Sequence, residues 1–498
     1  MLNLLNLGNS IMTRINSIIA EGAKSRMTDK QFLEHEIQRF KRSSKRKDMI
    51  VGENYYNGDH DILKRKRTII GEDGKLVEVE NLPNNKVIDN QYAKLVDQKV
   101  NYLLSKPITI ETENKTYDGL LKEIFNNRFF RTIKNIGEDS LNEGIAWIHP
   151  YYNDSGKFCF KRFPSYEILP FWQDAEHTIL DFAVRLYQVE SYEGTREVII
   201  EKVEVYSTSG IERYVLQNNS LIPDVENPST SYITAIDETG KEQRLNWSKV
   251  PLIAFKYNNK EIPLIRRVKS LQDGINTILS DFQNNMQEDA RNTILVLQNY
   301  DGTNLGEFRR NLAQYGAVKV RTVDGAAGDL KTLTITINAN NYESILKLFK
   351  KALIENGRGY DAKDDRMSGN PNQMNIQSMY SDIDLDANGM ESEYQASFEE
   401  LLWFVNVHLA NTGGGDFEKE KVNIIFNRDI LINESESIDN CSKSLGILSN
   451  ETIVSQHPWT KDVEAELKRL ESEKAQQKSE IDEYKTTFGS AGGLNATQ

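Results

Sequence analysis

The sequence predicts an α+β protein built around long helices, and three observations carry that expectation. Residues 262–412 read as long helix, compact insert, return helix, a loop rich in Gly, Pro and Asn, and then a longer helix still. Residues 145–250 are dominated by strand-like alternation, with Asp154-Ser155-Gly156 supplying one hairpin turn. Residues 434–485 return to helical spacing and end in a highly charged stretch with Glu and Lys three and four apart. Paired rods of this kind make a column, not a pocket.

The first 25 residues are mildly amphipathic. Asn3, Asn6, Asn9 and Arg14 interrupt them, so no signal-peptide apolar region forms and a flexible segment is expected. Thr28 with Gln31 has the form of a capping box and predicts a helix over 29–53. The run from Lys41 to Lys47 within it is basic, and a solvated helix face outweighs a nucleic-acid or protein contact there. Tyr55 to His60 reads as a turn, and a helix over 89–104 stops ahead of Pro107. Together with the strands that follow, residues 26–261 make one mixed α/β body.

A first rod over 262–288 carries Ile265, Val268, Leu271, Ile275, Leu279 and Phe282 on one stripe. A helix over 264–287 would be about 36 Å long. Tyr342, Leu346, Phe349 and Leu353 repeat the stripe in a return helix over 341–356, so the two rods can pack together with the insert at their far end. That insert, residues 289–340, holds a strand over 293–298, a short amphipathic helix over 305–314 and strand-like runs at 317–321 and 330–337. It is too small to bury a large core alone, which argues for packing against copies of itself or a partner.

After Asn356-Gly357-Arg358-Gly359, polarity stays high through Asn372, and residues 357–375 read as a mobile loop. A third helix over 376–412 would span roughly 50 Å, with Gly389 as a candidate kink. A strand near 421–427 closes a segment spanning 376–433; residues 434–485 form a helical tail, and 486–498 are expected to be disordered.

Among the 498 residues, a net charge of -13 speaks against tight nonspecific DNA binding, which needs Lys and Arg to displace counterions. It leaves DNA open as a passing cargo, since strong phosphate contacts would hinder sliding. No run approaches the roughly 18 apolar residues of a membrane span. Cys159 and Cys441 lie far apart without CxxC spacing, which excludes a thiolate metal site and fits a reducing compartment.

Catalytic motifs are missing: there is no phosphate-cradling GxxxxGK[ST], no HExxH and no nucleophile elbow. Asp382-x-Asp384-x-Asp386 with Glu393 superficially matches a calcium loop, but Ala387 stands where the sharp turn requires glycine. An acidic helix face is the better reading, so no catalytic residue, metal or cofactor is assigned. On the return helix Lys347, Lys351 and Arg358 project opposite the apolar stripe, either as a solvated face or as a weak phosphate-facing strip. Lys363 and Arg366 in the loop are similar, although Asp361, Asp364 and Asp365 offset them. A metal-dependent DNA-processing enzyme using the Asp382 cluster and a helical scaffold unrelated to DNA are the competing functional readings.

Tyr55-Tyr56-Asn57-Gly58-Asp59-His60, followed by the run from Asn85 to Pro107 (NKVIDNQYAKLVDQKVNYLLSKP), resembles the portal proteins of tailed double-stranded-DNA bacteriophages, especially siphophages of Gram-positive hosts. Gly156-Lys157 with the block Phe163 to Pro170, and Phe426-Asn427-Arg428-Asp429 with Asn433-Glu434, are similar to later blocks of that family. The resemblance implies a portal fold: wing 26–261, stem helices 262–288 and 341–356, clip 289–340, tunnel loop 357–375, wing helix and strand 376–433, and crown 434–485. It implies a homo-oligomeric ring, usually of twelve subunits, at one capsid vertex of the virion, assembled in the host cytoplasm. Double-stranded DNA would pass through it during packaging and ejection. Implied partners are the terminase, a head-tail adaptor, and the major capsid and scaffolding proteins; no membrane is involved. The stem stripe would serve subunit contacts, and Lys347, Lys351, Arg358, Lys363, Arg366, Asn370, Asn372 and Gln373 would face DNA. The loop glycines would let neighbouring copies adopt different conformations.

Overall fold

The computed structural model describes residues 28–71, 74–80, 82–236, 240–289, 294–298, 304–315, 320–322, 329–333, 339–361, 373–428, 434–460 and 463–489. Thr28 caps the first helix as expected: the Gln31 amide donates to its hydroxyl at 3.3 Å, and its own N–H donates to the Gln31 side chain at 3.0 Å. The single helix expected over 29–53 is instead two, α1 (Asp29–Arg42) and α2 (Ser44–Tyr56). Between them Ser43 is extended and its hydroxyl accepts the Arg46 N–H at 3.2 Å, so the serine starts a new helix.

Three of the five cations in the basic run are ties to other elements, while Arg42 and Lys47 stay exposed. Lys41 pairs with Glu201 at 2.7 Å, Lys45 pairs with the buried Glu261, and Arg46 Nε donates to the Tyr166 carbonyl at 2.7 Å.

A hairpin of β1 (Thr68–Ile70) and β2 (Leu76–Glu78) precedes α3 (Gln91–Leu104), β3 (Thr109–Glu111), α4 (Lys115–Ile124) and α5 (Asn127–Glu143). Strands β4 (Ile145–Tyr152) and β5 (Phe158–Phe163) follow. Next comes an antiparallel meander of β6 (Ile168–Trp172), β7 (Leu180–Glu193), β8 (Arg196–Ser207), β9 (Gly210–Gln217) and β10 (Ser220–Pro223), paired in sequential order. After the hairpin β11 (Ile233–Ile236) and β12 (Glu242–Leu245), strand β13 (Ile253–Lys256) returns to pair with β4, placing Ala254 opposite Trp147.

The rods then appear in the predicted order: α6 (Ile265–Asp289), β14 (Ile294–Gln298), α7 (Leu305–Tyr315), β15 (Asp329–Leu333), α8 (Ala339–Asn356) and α9 (Gln373–Asn411). Strand β16 (Asn423–Ile425) pairs with β3, and α10 (Glu434–Lys443), α11 (Asn450–Gln456) and α12 (Val463–Gly489) end the chain. Within the insert β14 and β15 are antiparallel, with Ile294 opposite Leu333. Residues 317–319 and 334–337 of the two expected strand-like runs, the first 27 residues and the last nine lie outside the described residues.

Two compact units make up the chain, Met1–Gly359 with Asp382–Asp429, and Tyr360–Ser381 with Ile430–Gln498. In the first, α1 lays Phe32, Leu33 and Ile37 on Phe171, Phe182, Val184, Val203 and Val205 of the meander. Met49 of α2 joins Trp147, Phe163, Ile168 and Leu252 in a second cluster. Tyr394 and Phe398 of α9 meet Phe255 edge to face at 5.1 and 5.7 Å, which makes the middle of this helix a core element. Gly389 lies within the uninterrupted α9, with open space where a β-carbon would stand. In the second unit the α9 start is tied to α10, since the Gln373 N–H donates to the Glu436 carboxylate at 2.9 Å.

Candidate nucleic-acid interface

The two rods pack along the predicted stripe. Phe282 and Tyr342 face each other with ring centroids 5.0 Å apart, and Asn285 Nδ2 donates to the Tyr342 hydroxyl at 2.9 Å. Gly274 allows the closest approach: a β-carbon there would stand 2.4 Å from the Phe349 ring. Ile265, Val268, Ile275 and Leu353 are buried by the chain itself, so they are not available to another copy. Leu271, Leu279, Phe282, Tyr342, Leu346 and Phe349 are half-buried, while Met286, Ile345 and Leu348 are exposed.

A second face of α6 is polar, yet fully buried. Gln272, Asn276, Ser280 and Asn284 recur every fourth residue, each 0% exposed. Their side chains accept the amides of Tyr92, Asp89, Val87 and Asn85 at 2.9, 3.1, 2.9 and 2.7 Å in turn. Four helical residues advance the axis by about 6 Å, and two extended residues by about 6.6 Å, so the row Asn276, Ser280 and Asn284 matches the alternate amides 89, 87 and 85, while Gln272 takes the Tyr92 amide in the first turn of α3. This ladder fastens the segment ahead of α3 to α6. It also fixes a histidine: Asn276 Oδ1 accepts from Asp89 and Gln272, so its Nδ2 donates to His60 Nδ1 at 2.7 Å. His60 Nε2 then donates to the Tyr55 carbonyl at 2.9 Å, and burial of this neutral ring pushes its pKa down.

At the foot of α8 the chain turns sharply through Gly357-Arg358-Gly359. β-carbons at the two glycines would stand 2.2 and 2.5 Å from Leu95 of α3, and Arg358 between them has φ +53°. These glycines therefore mark a pinned root rather than the adaptable part of the loop. Lys99 Nζ donates to the Arg358 carbonyl at 3.0 Å and pairs with Asp386 at 2.7 Å. Arg267 Nη1 approaches Asp386 at 3.1 Å, Arg358 at 3.5 Å, and the Tyr257 hydroxyl donates to it at 2.6 Å. Burial, together with the two neighbouring guanidiniums, brings the pKa of the Lys99 ammonium down to about 8, with Asp386 acting in the opposite direction. For Asp386 burial works upward, but Lys99, Tyr257 and Arg267 prevail and hold it below the usual carboxylate range.

Of the predicted DNA-facing residues, Lys347 and Lys351 are exposed and pair with Glu343 and Glu355 of their own helix at 2.6 and 3.8 Å. Arg358 is half-turned toward Asp386. Gln373 begins α9 in the second unit, whereas Lys363, Arg366, Asn370 and Asn372 lie outside the described residues. The acidic row on α9 is engaged by cations and hydroxyls: Asp384 accepts from Tyr102 at 2.8 Å and pairs with Arg428, which also reaches Glu391 at 2.7 Å. Sequence reasoning missed Lys99, Arg267 and the buried amides. The four-residue recurrence of Gln272, Asn276, Ser280 and Asn284 beside an apolar stripe was the signal available for the ladder.

Residues 35–480 match the family model described as "Phage portal protein, SPP1 Gp6-like", and the chain belongs to this family of phage portal proteins. The portal protein of Bacillus phage SPP1 is 27% identical over 482 residues, covering 95% of this chain and 92% of that one. The portal protein of Clostridium phage phiCD119 is 26% identical over 455 residues, covering 89% and 96%. A chain from the virion of the native gene transfer agent particle aligns at 10% identity with a TM-score of 0.38, covering 72% of this chain and 87% of that chain, a likeness too weak to carry an argument. Membership of the family gives the role: head-tail connector and DNA channel at the portal vertex of the virion. Neither the DNA-processing enzyme nor the scaffold unrelated to DNA is favoured, and portal relatives are structural components. No described helix is long and apolar enough to cross a membrane.

Proposed function

We propose that this portal protein works as a closed ring, of twelve subunits, that conducts duplex DNA without doing chemistry on it. In this reading residues 26–261 with 376–433 form the wing, 262–288 and 341–356 the stem, 289–340 the clip, 357–375 the tunnel loop and 434–485 the crown. Assembly takes place in the host cytoplasm, where the ring docks the terminase and a head-tail adaptor and sits among the major capsid and scaffolding proteins. ATP hydrolysis belongs to the terminase.

One observation carries the ring: the rods α6 and α8 satisfy each other through Gly274, Phe349, Phe282 and Tyr342, yet leave Met286, Ile345 and Leu348 exposed. Apolar side chains left outside a closed helix pair are natural contacts for the next copy of that pair. The half-buried remainder of the stripe flanks the same contact. Negative-stain imaging of purified protein tests this: rings with an axial hole on the order of 20 Å or wider are expected, room enough for a duplex. A population of single subunits at high concentration would reject it. Ile345→Asp with Leu348→Asp is expected to shift rings toward subunits while each subunit stays folded.

A further inference from the structure

We infer that Arg267 and Arg358 form a seat for one phosphate of the passing duplex, steadied from beneath by the buried Lys99–Asp386 pair. The inference rests on the DNA-channel reading above and deepens it. Its first support is a charge count. Three cations converge on one carboxylate, Lys99 at 2.7 Å, Arg267 at 3.1 Å and Arg358 at 3.5 Å. Among the described residues no second carboxylate lies within ion-pair distance of any of them, which leaves two positive charges in surplus on a chain whose net charge is -13.

Exposure is the second support. The Lys99 and Asp386 side chains are 4% and 7% exposed, whereas Arg267 is 33% and Arg358 46% exposed, so the surplus reaches the surface through two guanidiniums. Planar, permanently charged forks suit phosphate oxygens better than ammonium groups do. On α8 itself Lys347 and Lys351 are each balanced by a glutamate one turn away, whereas Arg358, in the turn just past its end, shares the Asp386 carboxylate with two other cations. The shared carboxylate keeps the seat weak. Each guanidinium that turns to a phosphate leaves Asp386 still neutralised by Lys99, and each phosphate that departs finds the carboxylate waiting. A site of this kind can touch and release, which translocation requires.

The test uses assembled rings of the full chain carrying Arg267→Gln, Arg358→Gln, both, or the charge-keeping pair Arg267→Lys with Arg358→Lys. Binding of a short duplex is followed by fluorescence anisotropy across a salt series. The slope of log K against log salt is expected to fall by about 0.9 for each phosphate that the double glutamine ring no longer neutralises, and to be largely kept in the double lysine ring. Capsid filling after complementation with the wild-type chain serves as the independent check on the channel itself. An unchanged slope in the double glutamine ring, with wild-type filling intact, would overturn the seat and leave the channel standing. If the double glutamine chain instead stays folded but no longer closes into rings, the arginines hold a carboxylate of a neighbouring copy, and the seat is equally rejected. Failure of wild-type rings both to bind duplex and to fill capsids would overturn the channel reading and the seat with it.

Discussion

Gly274 and Phe349 meet so closely across the two rods α6 and α8 that a methyl group on the first would stand 2.4 Å from the ring of the second. Helix propensity favours alanine over glycine by about 1 kcal/mol, but overpacking costs about 1–3 kcal/mol and is expected to win here. Gly274→Ala should therefore lower the denaturation midpoint. Adding Phe349→Leu should recover part of the loss, as a double-mutant cycle in urea would reveal.

The amide ladder makes a graded prediction. Asn276→Leu strands the Asp89 N–H and His60 Nδ1 in a buried setting, and unmade hydrogen bonds there cost about 1–3 kcal/mol each. Ser280→Ala removes one acceptor and should cost about 1–3 kcal/mol. Equal losses for the two variants in chemical denaturation would contradict the ladder.

At the root of the loop, the charge count predicts an asymmetry. Asp386→Asn leaves three cations without their shared anion and should destabilise by on the order of 3–5 kcal/mol. Lys99→Met leaves Asp386 with two guanidiniums and should cost less. Thermal melting of both variants settles the order.

Asp139 supplies a pH signature. Burial, with Glu53 and Glu138 nearby, raises its pKa from 3.8 to about 7 despite an ion pair with Arg162 at 2.7 Å. Between those two values the folded chain keeps a proton that the unfolded chain has released, so this group's contribution makes stability fall as pH rises through the window. Its share is at most about 4 kcal/mol at 1.36 kcal/mol per unit. Asp139→Asn should flatten the stability profile between pH 4 and 7 and be relatively more stable at pH 8, as denaturation midpoints at several pH values would measure.

The rods were legible because a 3.6-residue period in apolar positions survives whatever the helix packs against. Elements defined by polar groups were harder to read. Ser43 sits inside a basic run with no apolar interruption, so the break between α1 and α2 left no mark on the periodicity. Lys99 and Arg267 look like solvent-facing residues in sequence, and only the fold brings them to Asp386. Gly357 and Gly359 signalled a loop, yet their small size answers to the bulk of Leu95, a neighbour far away in sequence.

Helix α6 holds the segment from Asn85 to Tyr92 by its peptide groups. Proline is barred at positions 85, 87 and 89, where each main-chain hydrogen is used, and side chains add to the grip: Asn85 Nδ2 donates to Asn284 at 2.8 Å and Asp89 pairs with Lys350 at 2.6 Å. Main chain and side chains together thus set where this stretch lies along the rod.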